Sequence, residues 1–525
     1  MEKLSYNTKS MDTVKQTTDF LLITGPIRSL IYPPMALALL KGIVENKGFN
    51  CKTVDLNQMY FTQCESEDQF ETDTKMFDNK VPVDFETLYI SACGKWITNK
   101  VVDLVETHRP KSIGVSCFSH YNITAALLIL KVLKEHYADI PVMIGGYGIN
   151  SPLSFCEEFG LGLTRKESFA ETMKSNGLVD TYVVGDAERV MVNWIKNKTD
   201  ISDKQHKLEK LEGLPYADYT DLDYKNYEYT NGITLPVTGS KGCVRKCSFC
   251  DIPGKFGKFV QRDGKEIADE VIYLYETYGA KTIFLTDSLT NGSMKAFLVY
   301  IETLSNLKHK RGYKDLQWTG QYIMRPKHQI PHAKNYYPML AESGAVGLSA
   351  GVESGSDRVL EHMNKKCTID DVYTELEYFN QHKISSLLLL MCGYPTETRS
   401  DFEKTLNFLR DIQPYFSNGT VIKAEVSALW FARDPQSQWG RMGPEQGMHF
   451  DPNDPKLWFY EPNPELDIKE LVFRRLTLHK TINELHIPNG IEKPEMQRLF
   501  DYLKHNKENI KKFYHNIKRP QHEQQ

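Results

Sequence analysis

The chain of 525 residues lacks several features that would assign it to a class at once. It contains no apolar run of about 18 residues, so the sequence predicts no membrane-spanning helix. Its net charge is only −4, which gives no global field for binding nucleic acid or an anionic membrane. The first 18 residues are polar and lack the apolar centre of a secretory signal. We therefore expect a cytoplasmic protein whose thiols stay reduced.

Cysteine is scarce as well, with ten in the chain, yet three of the ten fall within eight residues. Cys243, Cys247 and Cys250 form a C-x3-C-x2-C pattern just after the apolar run 235–238. The remaining cysteines are scattered, several of them in apolar strands, where we expect small buried side chains. They are Cys51, Cys64, Cys93, Cys117, Cys156, Cys367 and Cys392.

Three thiolates from one short loop suit a [4Fe–4S] cluster, because soft sulfur ligands fit iron and the loop can reach three corners. The fourth iron would then be open to a substrate. Two alternatives remain at this point. A zinc site needs four ligands, so Asp251 or a distant residue would have to complete it. A disulfide is disfavoured in a reducing compartment.

The cysteine pattern resembles that of the radical S-adenosylmethionine (SAM) superfamily, and Phe249 matches the aromatic residue favoured before the last cysteine. The resemblance implies that SAM chelates the open iron through its amino and carboxylate groups. It also implies one-electron cleavage of SAM to a 5'-deoxyadenosyl radical. An external reductant such as flavodoxin or ferredoxin would supply the electron.

Residues 1–205 alternate between strands and helices, the pattern of a doubly wound α/β domain, with a polar, acidic insertion at about 58–99. The strands are predicted at 20–24, 52–56, 112–116, 141–144 and 181–185, with helices at 35–46 and 123–136.

This domain resembles the Rossmann-like cobalamin-binding domain that precedes many radical SAM barrels. The resemblance rests on Tyr32 to Ala38, Gly48-Phe49, Val54-Asp55, Gly145-Gly146 and Gly185 to Glu188. Ligands of such folds lie at the carboxyl ends of the strands, which makes the loops at Gly25, Ser116, Gly145 and Gly146 the candidate corrinoid surface. The D-x-H-x-x-G loop that ligates cobalt in other cobalamin domains is missing after the first strand. His120 is the only histidine near a strand end, and a loop histidine is more often hydrogen-bonded than a ligand.

A linker is predicted at 206–230, followed by a radical SAM core at 231–440 and a helical C-terminal extension at 441–525 that includes an amphipathic helix at 468–485. The core contains six strand–helix units, which predict a partial (β/α)6 barrel with its chemistry at the carboxyl ends of the strands. The strands are predicted at 235–238, 282–286, 317–322, 346–350, 386–391 and 421–429. The extension indicates either a cover for the barrel mouth or a packing helix with a solvated tail.

Further residues match positions at which the family contacts SAM, and a simpler interpretation is given where one applies. Asp287 follows the second core strand and could instead cap a turn, and Arg325 could be an ordinary surface arginine. The segment from Glu342 through Glu353 and Ser354 to Lys365 resembles the fourth-strand signature, in which a carboxylate can accept hydrogen bonds from a ribose diol. Gly393 lies in a turn that resembles G-x-P-G-E-T, with Thr396 in place of the second glycine.

The sequence thus predicts an α/β protein: a Rossmann-like cobalamin-binding domain, then a partial radical SAM barrel and a helical extension. The expected cofactors are a [4Fe–4S] cluster, SAM and cobalamin. The expected reaction is radical cleavage of SAM, with methylation of an unactivated carbon as one outcome. A corrinoid-free radical enzyme with a degenerate first domain and a non-catalytic iron–sulfur redox protein are the alternatives. No motif indicates the substrate.

Overall fold

The computed structural model describes most of the chain, in two compact units. The described residues are 17–26, 30–77, 85–150, 168–202, 204–227, 232–330, 333–426, 437–451, 454, 457–488 and 500–518. Within these ranges no helix is both long enough and apolar enough to cross a membrane.

The first unit is built on a six-stranded parallel sheet whose strands are almost entirely buried, as expected when helices cover both faces. The spatial order is β2-β1-β3-β4-β5-β6, so the chain reverses direction across the sheet between β1 and β3. The strands are β1 (Phe20–Thr24), β2 (Cys51–Asp55), β3 (Ile113–Ser116), β4 (Val142–Gly145), β5 (Thr181–Gly185) and β6 (Gln205–His206). The predicted strands are confirmed to within one residue at their ends, and β6 is an addition.

The helices of this unit include the region expected to be a polar insertion. The described residues of 58–99 are mostly helical, and Phe70, Phe77, Leu88 and Ile97 are buried in the core. The helices are Met35–Glu45, Leu56–Phe61, Glu67–Thr74, Phe85–Ile90, Ala92–His108, Ile123–His136, Phe169–Ser175 and Met191–Asn197, with short 3-10 turns at Lys75–Phe77, His120–Asn122 and Tyr147–Asn150.

The predicted linker packs on the first unit, which comprises Met1–Glu209 and Gly213–Leu235. The carboxylate of Asp221 lies 2.9 Å from the ammonium of Lys41 and 2.8 Å from that of Lys52. Because Lys41 is almost completely buried, this ion pair fixes the segment to the domain. By packing, the first unit extends to Leu235, and it includes the segment predicted as a linker at 206–230 apart from Lys210–Glu212.

The second unit, Lys210–Glu212 with Pro236–Gln525, contains a six-stranded sheet in the order β14-β13-β12-β11-β10-β7. The pairs from β10 to β14 are parallel, and the order follows the chain, as a partial barrel requires. Two short antiparallel ribbons, β8–β9 and β15–β16, flank it. The strands are β7 (Thr234–Val237), β8 (Ser240–Lys241), β9 (Val260–Gln261), β10 (Thr282–Leu285), β11 (Gln317–Tyr322), β12 (Leu348–Glu353), β13 (Ser386–Leu390), β14 (Val421–Val426), β15 (Met448–Phe450) and β16 (Trp458–Tyr460).

The six predicted barrel strands are all present, although β12 begins and ends later than predicted and residues 427–429 lie outside the described ranges. Helices follow the strands and continue into the C-terminal extension. They are Ile252–Phe256, Gly264–Tyr278, Met294–Arg311, Ala333–Glu342, Asp357–His362, Ile369–His382, Arg399–Asp411, Gln413–Ser417, Gln438–Met442, Ile468–Glu484 and Lys507–Lys518, with 3-10 turns at Lys327–Gln329 and Pro444–Gln446.

The C-terminal extension is part of the barrel's hydrophobic structure. Trp458 and Leu471 from the extension share one buried cluster with Trp439 at the end of the core and with Val359 and Tyr394, which follow β12 and β13, and Phe249 of the cysteine loop packs against this cluster. The extension therefore contacts the loop that carries the three cysteines.

Candidate active site

The cysteine loop follows β7 and is closed at its base by the β8–β9 ribbon. Cys243, Cys247 and Cys250 are each partly buried and are free thiols. The backbone N–H of Arg245 donates to the sulfur of Cys243 at 3.3 Å, as amides commonly do toward ligand thiolates. Burial raises the pKa of the Cys250 thiol to about 11, so deprotonation requires a bound cation.

The residues of this loop fit a [4Fe–4S] cluster. The guanidinium Nε and Nη2 of Arg245 are buried without a hydrogen-bond partner, beside thiolates whose cluster carries a net negative charge. Among the described residues no three His, Cys, Asp or Glu side chains converge on the position of one metal ion. A cluster does not require such convergence, because it spreads its thiolates over three separate irons.

Glu353, at the end of β12, has an unusual backbone. Its φ is +71°, a left-handed conformation that is rare for a residue with a side chain, and the pairing of β12 with β13 shifts register between Gly351 and Glu353. The carboxylate Oε1 accepts a hydrogen bond from the ammonium of Lys365 at 3.1 Å. A strained backbone and a salt bridge therefore fix the carboxylate at the carboxyl end of its strand.

Asp287, at the end of β10, is buried and faces the polypeptide. Its Oδ1 accepts hydrogen bonds from the N–H groups of Gly239 and Ser240 at 2.7 and 2.8 Å. Burial raises the pKa of this carboxyl to about 7, and the second oxygen, Oδ2, is buried without a partner. Asp287 thus fixes the start of the cysteine loop, and its predicted role toward SAM stays a prediction.

Arg325 and Ser354 are also largely enclosed by protein. The guanidinium of Arg325 donates to the carbonyl oxygens of Asn291 and Gly292, so it secures the loop after β10. Ser354 is fully buried, and its hydroxyl accepts from the N–H of Ser356 at 3.2 Å. Contact of either side chain with SAM likewise stays a prediction.

Gly393 adopts φ +75°, which explains why glycine occupies this turn after β13. Its N–H donates to the carboxylate of Glu397 at 2.9 Å, and Glu397 is paired with the buried Arg474 of the extension at 2.8 Å. The turn that is predicted to approach SAM is therefore fixed by an ion pair from the C-terminal segment.

A network around Tyr394, which sequence reasoning did not find, holds the back of the cysteine loop. The Tyr394 hydroxyl lies 2.7 Å from that of Ser248, accepts from Trp439 Nε1 at 2.8 Å, and lies 3.1 Å from His362 Nδ1. The backbone N–H of Trp439 also donates to the carbonyl of Ser248 at 3.1 Å. We call Ser248, His362, Tyr394 and Trp439 the Tyr394 network.

The predicted corrinoid residues lie at the carboxyl ends of three neighbouring strands, β1, β3 and β4. Gly25 is tightly packed, since a Cβ there would lie 2.6 Å from that of Ala125. Gly146 has φ +105° and approaches the carbonyl of Cys117, and the carbonyl of the buried Ser116 accepts from the Thr24 hydroxyl. A Cβ at Gly145 would make only an ordinary van der Waals contact, with the Cβ of Val183 at 3.8 Å.

Exposed apolar side chains surround this edge of the sheet. Phe118 after β3 is 64% exposed, and Ile31 after β1 and Tyr147 after β4 are 44% and 40% exposed. The turns His120–Asn122 and Tyr147–Asn150, which follow β3 and β4, contact each other. The imidazole of His120, and residues 27–28 of the loop that lacks a D-x-H-x-x-G motif, lie outside what the structure describes.

Comparison with known proteins gives one family match and several relatives. Residues 237–409 match the Radical SAM superfamily. An uncharacterized methyltransferase of Pyrococcus horikoshii is 27% identical over 41% of this chain and 45% of its own length. The ribosomal protein uS12 methylthiotransferase RimO of Hydrogenobaculum sp. is 26% identical over 47% of this chain and 60% of its own. The chain spans about half the length of the curated relatives that it matches.

Among solved structures, the radical SAM methyltransferase TsrM from Kitasatospora setae, with cobalamin and a [4Fe–4S] cluster bound, is similar over 83% of this chain and 81% of its own, with a TM-score of 0.57 and 16% identity. At this identity the likeness concerns the fold, which extends over both units. The family match, the cysteine loop and the partial barrel together identify residues 237–409 as a radical SAM domain, a domain that uses a [4Fe–4S] cluster and SAM, and the chain has the fold of the cobalamin-binding branch.

Proposed function

We propose that this radical SAM enzyme binds cobalamin and transfers a methyl group to an unactivated carbon of its substrate. The observation that carries the proposal is the carboxyl edge of the first sheet. There a Cβ at Gly145 would meet no atom nearer than 3.8 Å, and the exposed apolar side chains of Phe118 and Tyr147 follow the neighbouring strands β3 and β4. A flat macrocycle needs an edge that its face can approach and apolar groups that cover it.

In this proposal the bound cofactors supply the reaction chemistry, namely an electron from the cluster, a radical from SAM and a methyl group carried by the corrinoid. The protein binds and orients them. Cys243, Cys247 and Cys250 hold the cluster. Glu353 accepts hydrogen bonds from the SAM ribose through Oε2, because its Oε1 is bonded to Lys365. A low-potential carrier such as flavodoxin or ferredoxin is the proposed electron donor.

Corrinoid uptake by the full, anaerobically reconstituted chain tests the first step. Phe118→Ala should weaken cobalamin binding about tenfold, since losing one covering aromatic ring costs about 1–2 kcal/mol. Ile90→Ala is the matched control, because Ile90 is a similarly exposed apolar residue, 55% exposed, in the same unit. His120→Ala should change neither the affinity nor the corrinoid spectrum. A folded wild-type protein that takes up no corrinoid would favour the corrinoid-free alternative.

Product analysis tests the second step. With dithionite and SAM, a methyltransferase of this type releases both 5'-deoxyadenosine and S-adenosylhomocysteine. A corrinoid-free radical enzyme releases 5'-deoxyadenosine without S-adenosylhomocysteine, and an electron carrier releases neither. Absence of S-adenosylhomocysteine with methylcobalamin bound and the substrate supplied would exclude methyl transfer.

A further inference from the structure

A buried ammonium group lies beside the cysteine loop. The side chain of Lys365 is 8% exposed, and its Nζ lies 6.0 Å from the centroid of the Phe249 ring, between Cys247 and Cys250 in the chain. Lysine side chains are rarely buried without a partner, and here Glu353 Oε1 is 3.1 Å away. The position of this cation next to the cluster ligands calls for a physical reason.

The backbone around Lys365 is built to hold it there. Both neighbours, Asn364 and Lys366, have φ +60°, a left-handed conformation that asparagine adopts readily but that is unfavourable for lysine. The segment is bonded directly to the cysteine loop, because Ser248 N–H donates to the carbonyl of Met363 at 3.0 Å and Asn364 Nδ2 donates to that of Lys246 at 2.8 Å. Strain of this kind persists only where the surrounding contacts enforce it.

Gly351 leaves space for the ion pair between Lys365 and Glu353. A Cβ at Gly351 would lie 2.5 Å from Glu353 Oε1 and 3.1 Å from Lys365 Nζ. Gly351 has no positive φ that would demand glycine. Its lack of a side chain therefore serves to accommodate the two charged groups.

The ammonium of Lys365 lies beside the cysteine loop, 6.0 Å from the centroid of the Phe249 ring, and it is held there by its ion pair with Glu353. In a site shielded from water, such a charge favours added negative charge on its neighbours.

We propose that Lys365 is a positioning residue that sets the reduction potential of the cluster by placing a buried positive charge beside the Cys247–Cys250 stretch of the loop. Reduction adds one electron from a low-potential donor such as dithionite, no bond forms or breaks, and Lys365 keeps its proton. The proposal rests on the cluster assignment to the three cysteines and is independent of cobalamin.

The test is a potentiometric titration of the reconstituted full chain without SAM, followed by electron paramagnetic resonance. In Lys365→Met the ratio of reduced to oxidised cluster at a fixed potential should fall about tenfold, which is about 59 mV for a one-electron couple. Lys365→Arg keeps the charge and should stay within about threefold of wild type. Lys366→Met is the matched control, because it removes an exposed ammonium from the adjacent left-handed position and should leave the ratio unchanged.

Glu353→Gln gives a second, independent result, since removing the negative member of the pair should shift the ratio in the opposite direction. A Lys365→Met protein with wild-type iron content and an unchanged ratio would overturn the proposal. If Lys365→Met loses iron, the Glu353→Gln and Lys365→Arg results decide it. A wild-type chain that binds no cluster contradicts the cofactor assignment itself, which is a distinguishable failure.

Discussion

The hydroxyl groups of Ser248 and Tyr394 lie 2.7 Å apart, although 146 positions separate the two residues in the chain. Ser248 is inside the cysteine loop, and Tyr394 follows β13. Trp439, in the helix Gln438–Met442 that leads into the C-terminal extension, donates to the Tyr394 oxygen at 2.8 Å and so connects this segment to the same point. The cluster site is therefore built from three distant parts of the second unit.

Tyr394→Phe should make the cluster more labile while leaving the fold intact. The variant keeps the ring in its buried position but removes the oxygen that Ser248, Trp439 and His362 share. Buried polar groups left unpaired cost about 1–3 kcal/mol each, which loosens the loop. We expect roughly tenfold faster iron loss to a chelator under anaerobic conditions.

The control for this experiment is Tyr373→Phe, which removes a tyrosine hydroxyl bonded to Asp411 on the outer helices. The triple variant with alanine at Cys243, Cys247 and Cys250 provides the iron-free reference. Equal rates of iron loss in Tyr394→Phe and wild type would show that the network has no part in holding the loop.

Arg474→Met should destabilise the second unit strongly. The guanidinium of Arg474 pairs with the buried carboxylate of Glu397 at 2.8 Å and with Glu470 at 2.9 Å. Removing one member of a buried ion pair leaves an uncompensated charge and costs about 3–5 kcal/mol. A lower apparent melting temperature at fixed scan rate would report the loss.

The double variant Arg474→Met, Glu397→Gln separates charge from packing, because it removes the orphaned carboxylate as well. It should recover part of the melting temperature. If the double variant is as unstable as the single one, the contribution of Arg474 lies in its packing against Phe402 and not in its charge.

Local patterns in the sequence predicted the strands well and the long-range site contacts poorly. Strands such as Phe20–Thr24 and Gln317–Tyr322 were predicted at their observed ends because apolar runs bounded by turn residues mark buried strands. The helices at 58–99 were missed because their apolar residues, such as Phe70 and Leu88, are widely spaced among charged ones. Amphipathic patterns of that kind are weak in short helices.

The residues of the candidate site also divide into those that the sequence predicts and those that it does not. The cysteines follow from spacing alone, and Glu353 from a family signature. The role of Lys365 depends on a φ of +71° at Glu353 and on the absence of a side chain at Gly351, neither of which a sequence pattern reveals. Trp439 was missed because its partners Ser248 and Tyr394 are remote in the chain.

Raising the pH from 5 to 8 should destabilise the second unit through Glu375. This carboxyl is enclosed by Tyr322, Tyr336, Tyr337 and Arg325, and burial raises its pKa to about 7. Between its ordinary pKa of about 4.5 and this value, the folded state holds a proton that the unfolded state has released. Stability therefore falls as the pH rises through this interval, by up to about 1.4 kcal/mol per unit.

Glu375→Gln checks this pH dependence, because glutamine resembles the protonated carboxyl and does not titrate. The Tyr322 hydroxyl can turn its proton toward Tyr336, 2.9 Å away, and accept from the new amide. The variant should show a flatter dependence of melting temperature on pH than wild type. An equal slope in both proteins would show that another group causes the pH dependence. Asp287, whose pKa burial also raises to about 7, would be the next group to test.

Glu353→Gln should weaken SAM binding while sparing the cluster. In the proposed geometry Oε2 of Glu353 accepts hydrogen bonds from the ribose, and charged hydrogen bonds contribute about 1.5–3 kcal/mol. That loss corresponds to roughly ten- to hundredfold in affinity, measured by equilibrium binding of SAM to the oxidised, reconstituted protein. Glu361→Gln is the matched control, since it makes the same change at an exposed position eight residues along the chain.

Iron content at the wild-type level with weaker SAM binding would place Glu353 at SAM. Loss of iron and SAM binding together would instead mean that the Lys365–Glu353 pair supports the cysteine loop as a structural element. In Glu353→Gln the amide oxygen can replace Oε1 as the acceptor for Lys365, so the contact beside the cysteine loop is kept. Loss of SAM binding alone is therefore distinguishable from loss of the loop.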